Sequence, residues 1–182
     1  MTTASPVRTT WTIDASHSVV EFAVKHMMVS TAKGHFRVFS GVLRIDEKDP
    51  AGSTVEATIE TASIDTGEPQ RDAHLRSDDF FNAERYPAIT FVSRRVAVAG
   101  PERWRVSGDL TIRDITREVT LDTEFEGRGR DFQNGERAGF TAETTISRKD
   151  FGLKWNALLE AGGAVVSDRV KITLHIEAVR QD

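Results

Sequence analysis

The 182-residue chain has no cysteine. That one absence excludes disulfides, thiolate nucleophiles, cysteine-ligated zinc and cysteine-held iron–sulfur clusters. It has no run of about 18 apolar residues, so no membrane-spanning helix is expected. It has no basic surplus either: 24 Lys and Arg stand against 28 Asp and Glu, a net charge of −4. A general nucleic-acid binder carries a positive field instead. Neither GxGxxG nor GxxxxGK[ST] occurs, which removes the glycine loops that cradle nucleotide phosphates. Residues 1–11 lack the apolar core of a secretory leader, so the expected compartment is the cytoplasm.

What is present is alternation. A chain of this length buries roughly 70% of its unfolded surface and can form a core without staples. Several windows place apolar residues at every second position, as half-buried strands do. In residues 18–26, Val20, Phe22 and Val24 share a face. In 54–60 the row is Val55, Ala57 and Ile59; in 103–113 it is Trp104, Val106, Gly108, Leu110 and Ile112. Residues 118–126 align Val119, Leu121, Thr123 and Phe125, and 137–148 align Ala138, Phe140, Ala142, Thr144 and Ile146. Residues 169–179 align Val170, Ile172, Leu174 and Ile176. Windows 36–46 and 88–98 carry apolar residues on both parities and are expected to be covered on both faces, as by a helix outside the sheet.

Short links and Gly/Asp/Asn-rich loops between these windows imply hairpins, hence antiparallel neighbours. About eight such strands close most readily into a barrel, which removes sticky edges. Two stretches break the pattern. Residues 69–77 read as a short helix with Pro69 at its first position. Ser77 is expected to cap a second turn over residues 78–81, ended by Pro87. Residues 155–160 read as another helical turn, stopped by Gly162-Gly163. Residues 1–10 are expected to be a flexible tail and 11–182 one domain.

An eight-stranded barrel is either filled by side chains or wide enough for one small ligand. Small inward residues (Ala57, Gly108, Ala138, Ala142) interleave with large ones (Phe22, Trp104, Phe125, Phe140), which fits either state. A cavity so lined suits a chain-like hydrocarbon, each CH₂ contributing about 0.8 kcal/mol.

Several collinear segments then carry a resemblance. They include Ile13-Asp14-Ala15-Ser16-His17-Ser18, Gly34-His35-Phe36-Arg37-Val38-Phe39-Ser40-Gly41 and Ser63-Ile64-Asp65-Thr66. Arg71-Asp72-Ala73-His74-Leu75-Arg76-Ser77-Asp78-Asp79-Phe80-Phe81 and Tyr86-Pro87-Ala88-Ile89-Thr90-Phe91 follow. Gly108-Asp109-Leu110-Thr111-Ile112-Arg113, Arg148-Lys149-Asp150-Phe151-Gly152 and Asp168-Arg169-Val170-Lys171-Ile172 complete the set. Over residues 11–179 the chain resembles the YceI-like family of lipocalin-like, polyisoprenoid-binding proteins. The resemblance implies an all-β, extended eight-stranded antiparallel barrel with a helix beside it. It implies an apolar tunnel for an isoprenoid quinone, a polyprenyl chain or a similar amphiphile. It also implies a homodimer, and no required cofactor.

Strand parity and the matched helix together nominate a ligand-contact set. From the strands come Val20, Phe22, Val24, Phe36, Phe39, Leu43, Ile59, Ile89, Phe91, Trp104, Leu110, Ile112, Leu121, Phe125 and Phe140. Leu75, Phe80 and Phe81 are expected to point over the mouth of the tunnel, and Trp155 to join the wall. No catalytic or metal set is expected. His17, His26, His35 and His74 match no zinc spacing, and Asp14 with Ser16 suits a turn that bonds local amides. Asp72 and Arg76 are spaced to pair along the helix. Arg148-Lys149-Asp150 reads as a solvated turn. Two alternatives stay open: a lipid-modifying enzyme using Asp14, His17 and His26 inside the barrel, and a solid barrel acting through its surface.

Overall fold

A computed structural model describes residues 7–157 and 165–182. The strands are β1 Arg8–Ile13, β2 Val19–His26, β3 Ser30–Phe36, β4 Phe39–Asp46, β5 Thr54–Glu60 and β6 Ile64–Asp65. After the helix α1, Pro69–Arg76, come β7 Ala88–Gly100, β8 Arg103–Ile112, β9 Ile115–Arg130, β10 Glu136–Ser147 and β11 Val166–Arg180. From β7 to β11 each strand hydrogen-bonds to the next in an antiparallel meander. The first six segments form three crossings, each interrupted midway: at the 3-10 turn Ala15–His17, at Arg37 and Val38, and at the 3-10 turn Thr61–Ser63. The order runs β1-β4-β5-β7-β8-β9-β10-β11, and β1 returns to β11 through Trp11↔Arg180, Thr12↔Val179 and Ile13↔Ala178. The result is a closed antiparallel barrel of 8 crossings.

Six windows of clean alternation are strands, with the expected parity. The two mixed-parity windows have a different cause from the one expected. Between Phe36 and Phe39 the crossing is interrupted, so the inward row moves from one parity to the other and Val38 is left exposed. In β7 the pairing with β8 shifts between Ser93 and Arg95. Ile89 and Phe91 point inward before that bulge and Val96 after it, while Val92 and Val98 are exposed. No outer helix covers either strand among the described residues. One extra residue reverses every later side chain, which mimics two buried faces in the sequence.

Three further expectations are corrected. Residues 8–10, expected to belong to a flexible tail, lie in β1, and Thr9 is buried. Residues 78–81 form a turn and not a helix, and Ser77 donates its Oγ to His74 O (2.6 Å), closing α1 instead of opening a second one. Residues 155–157 are irregular; the rest of the turn expected over 155–160, with Gly162-Gly163, lies outside the described residues.

The two barrel ends differ. At one, Trp11, Leu43, Ala138 and Ala178 pack with Phe125 and Phe140. Trp11 is fully buried, and its indole N–H donates to Thr9 Oγ1 at 2.8 Å. The Arg128 guanidinium lies 5.2 Å from the centre of that ring and makes two 2.9 Å bonds to Glu47. The other end carries α1. Glu68 caps it by accepting from the amides of Gln70 (3.2 Å) and Arg71 (2.6 Å), and Pro69 fills its first position. Asp72 accepts from Thr66 N and Oγ1, and Arg76 donates to the carbonyls of Ala62 and Ile64. The expected Asp72–Arg76 pair is therefore replaced by bonds that tie the helix to the barrel rim.

Candidate functional site

The inward rows do not meet at the barrel axis. They leave a cavity of about 460 Å³, within the ~300–1,000 Å³ usual for small-molecule sites. The solid-barrel alternative is thereby set aside. Every residue nominated from the sequence lines this cavity except Trp155. Val20, Phe22 and Val24 enter from β2, Phe36 from β3, Phe39 and Leu43 from β4, and Ile59 from β5. Ile89 and Phe91 come from β7, Trp104, Leu110 and Ile112 from β8, Leu121 and Phe125 from β9, and Phe140 from β10. At the helical end Leu75, Phe80 and Phe81 face in, and Phe81 packs edge-on to Phe36 at 6.1 Å. Trp155 sits outside this wall, edge-on to His74 (4.6 Å between ring centres) and against Phe80 (5.3 Å). It backs the mouth and does not line it. Its position follows an irregular segment, to which no strand parity applies.

Other lining residues were not nominated. Val170, Ile172, Leu174 and Ile176 complete the wall from β11, and their alternation was visible in the sequence. Arg148 gave no such signal. It is 3% exposed and lines the cavity, while its neighbours Lys149 and Asp150 are exposed. The solvated turn expected there holds for two residues and fails for the arginine. Arg148 donates from Nε to Ser167 O (2.9 Å), from Nη1 to Leu153 O (2.7 Å) and Trp155 O (2.8 Å), and from Nη2 to Val166 O (3.2 Å). Burial pushes the guanidinium below its ordinary value, and the Asp168 charge raises it. Asp168 itself accepts from Ser147 Oγ (2.6 Å) and Lys149 N (3.2 Å).

The residues of the enzymatic alternative do not reach the cavity. Asp14 and His17 bond at 2.8 Å, but His17 has 61% of its side chain in solvent and neither lines the cavity. His26 is exposed at the far end of β2. Asp14 accepts from Ser16 N (3.0 Å), the turn role its sequence suggests. Asp14, His17 and Glu177 converge closely enough to suit a cation. The Arg137 guanidinium already sits among them, bonding Asp14 and Glu177 at 2.7 Å each and Asp131 at 3.0 Å. The Ser16 hydroxyl, then Arg137 and His17, hold the Asp14 carboxyl far below the usual carboxylate range. An internal cation therefore balances this cluster.

Comparison with known proteins agrees with this geometry. The sequence profile of the YceI-like domain matches residues 11–178. Protein YceI of Escherichia coli O157:H7 is 40% identical over 168 residues, covering 92% of this chain and 84% of that protein. Among solved structures, BcnA of Burkholderia cenocepacia superimposes with a TM-score of 0.80 at 28% identity, covering 91% of this chain and 98% of that one. A polyisoprenoid binding domain from Saccharophagus degradans shares the fold, with a TM-score of 0.68 at 19% identity over 94% of this chain and 98% of that one.

Proposed function

The chain belongs to the YceI-like family, and from that premise we propose that its cavity holds a long isoprenoid chain. The chain is that of an isoprenoid quinone, a polyprenyl lipid or a similar amphiphile, and the protein acts as its carrier, store or sequestering agent. The observation that carries this reading is a closed barrel with an unfilled interior walled by aliphatic and aromatic side chains from every crossing. Such a wall rewards length and flexibility: each methylene moved from water contributes about 0.8 kcal/mol, less what ordering the chain costs. The cavity of about 460 Å³ is of small-molecule size and takes a stretch of such a chain. A longer chain extends through an end of the barrel. That a domain of the same fold is a polyisoprenoid binding domain supports the choice of guest. Chemistry on the lipid is not part of the proposal, since Asp14 and His17 face outward. Association into a homodimer, which the family resemblance implies, is part of it.

Native mass spectrometry and organic extraction of the purified protein test this reading. An isoprenoid-sized adduct, lost on extraction and restored by a prenyl quinone, is the expected result. Protein that is always empty and takes up neither a prenyl quinone nor a polyprenyl alcohol refutes it. Light scattering reads the copy number, and a monomer mass refutes the dimer.

A further inference from the structure

We propose that Arg148 is the polar anchor of the cavity, binding an anionic oxygen, carboxylate or phosphate, at one end of the chain lodged there. The inference rests on the lipid-binding reading above and adds the chemistry of the headgroup.

An arginine remains protonated in proteins and offers five N–H donors. Four of the five in Arg148 are used, all on main-chain carbonyls. The second N–H of Nη2 has no partner among the described residues. Carbonyl dipoles ease the burial but carry no counter-charge. No carboxylate lies within ion-pairing distance of Arg148 among the described residues, and the charge acting on it most directly, Asp168, is engaged with Ser147 and Lys149. A buried charge is ordinarily paired or bound to a ligand. The other arginine on the cavity wall, Arg128, has its carboxylate partner, Glu47.

Arg148 belongs to the turn Arg148–Phe151, which follows β10 at the α1 end, where Leu75, Phe80 and Phe81 cover the cavity. Its four carbonyl bonds fix the guanidinium before any ligand arrives, so little side-chain freedom is lost on binding. A cation set in an apolar wall interacts with an anion more strongly than one in water, and bonds between ionised partners are about twice as strong as neutral ones. A purely structural clamp on Leu153, Trp155, Val166 and Ser167 accounts for the four bonds. It does not account for an arginine on the cavity wall that has no carboxylate partner among the described residues.

The test compares headgroups on identical chains, using delipidated native protein. Hexadecanoate is set against hexadecanol, and geranylgeranyl phosphate against geranylgeraniol, by competition with a fluorescent lipid. The anionic member of at least one pair should bind about tenfold tighter or more; which pair responds separates a fatty-acid guest from a prenyl-phosphate guest. In Arg148→Met that ratio should fall to about one. Equal affinities within both pairs overturn the anchor while leaving chain binding intact. A preference that survives in folded Arg148→Met also overturns it. If that variant does not fold, the side-chain ¹⁵N signals of Arg148 in the native protein decide: a shift with the anion and not the alcohol supports the anchor, and no shift overturns it. Failure of all four chains, and of a prenyl quinone added alongside them, to bind refutes the lipid-binding reading itself.

Discussion

Ala142 offers a direct way to fill the cavity from its own wall. It is buried on β10, opposite Leu174 of β11 and Thr123 of β9, and all three line the void. A benzene-sized ring needs about 150 Å³ of room. Ala142→Phe should therefore take about a third of the 460 Å³, the space of roughly five carbons. At about 0.8 kcal/mol per methylene that removes up to ~4 kcal/mol of transfer free energy, or a loss of as much as about a thousandfold in affinity for a twenty-carbon chain. The ring enters empty space, so the melting temperature should hold or rise. Glu143→Phe is the control: the next residue on the same strand faces outward, with 53% of its side chain exposed, and should leave affinity unchanged. Titration with a prenyl alcohol alongside a thermal melt reads both quantities. A folded Ala142→Phe protein that binds as tightly as the native one refutes the assignment of this wall, as does an equal loss in Glu143→Phe.

Two further outcomes follow from surface features. The folded state depresses the Asp14 pKa below its ordinary 3.8, so its contribution to stability is complete above that pH and is lost as pH falls toward the folded value. Asp14→Asn should lower stability to urea at pH 7, and its deficit should narrow at pH 3; a gap equal at both pH values contradicts this. In the turn over residues 26–29, Met27 (φ 52°) and Met28 (φ 58°) are both left-handed, a conformation that costs a side-chain-bearing residue roughly 1–2 kcal/mol and that Asn and Gly favour. The double change M27N/M28G should raise stability by about 1–2 kcal/mol in thermal melts, and an unchanged or lower melting temperature refutes the strain.

The barrel was legible because its wall is one layer thick, with lipid-like space on one side and water on the other. A strand such as Arg103–Ile112 can satisfy both only by strict alternation, and Trp104, Val106, Leu110 and Ile112 show it. Legibility failed where alternation is not the governing pattern. β1 reads Arg-Thr-Thr-Trp-Thr-Ile, whose buried Thr9 carries no apolar signal. β3 holds Lys33 and Gly34 and carries no row of alternating apolar residues to mark it. Bulged β7 looks buried on both faces because its phase changes partway. Trp155 follows no strand, so its hydrophobicity marked burial but not which cavity it faced. Arg148 is the deepest case: its burial depends on four carbonyls brought from Leu153, Trp155, Val166 and Ser167 by tertiary folding, and nothing in Ser-Arg-Lys-Asp announces it.

On the proposed reading, a greasy interior should leave the purified material a mixture of loaded and empty barrels. Whatever binds only the folded barrel raises its melting point by mass action, so a preparation that leaves the cell partly loaded should melt in more than one step. Calorimetric traces before and after solvent stripping then serve as a gauge of cargo, and batch-to-batch scatter in heat resistance becomes a record of what each harvest carried.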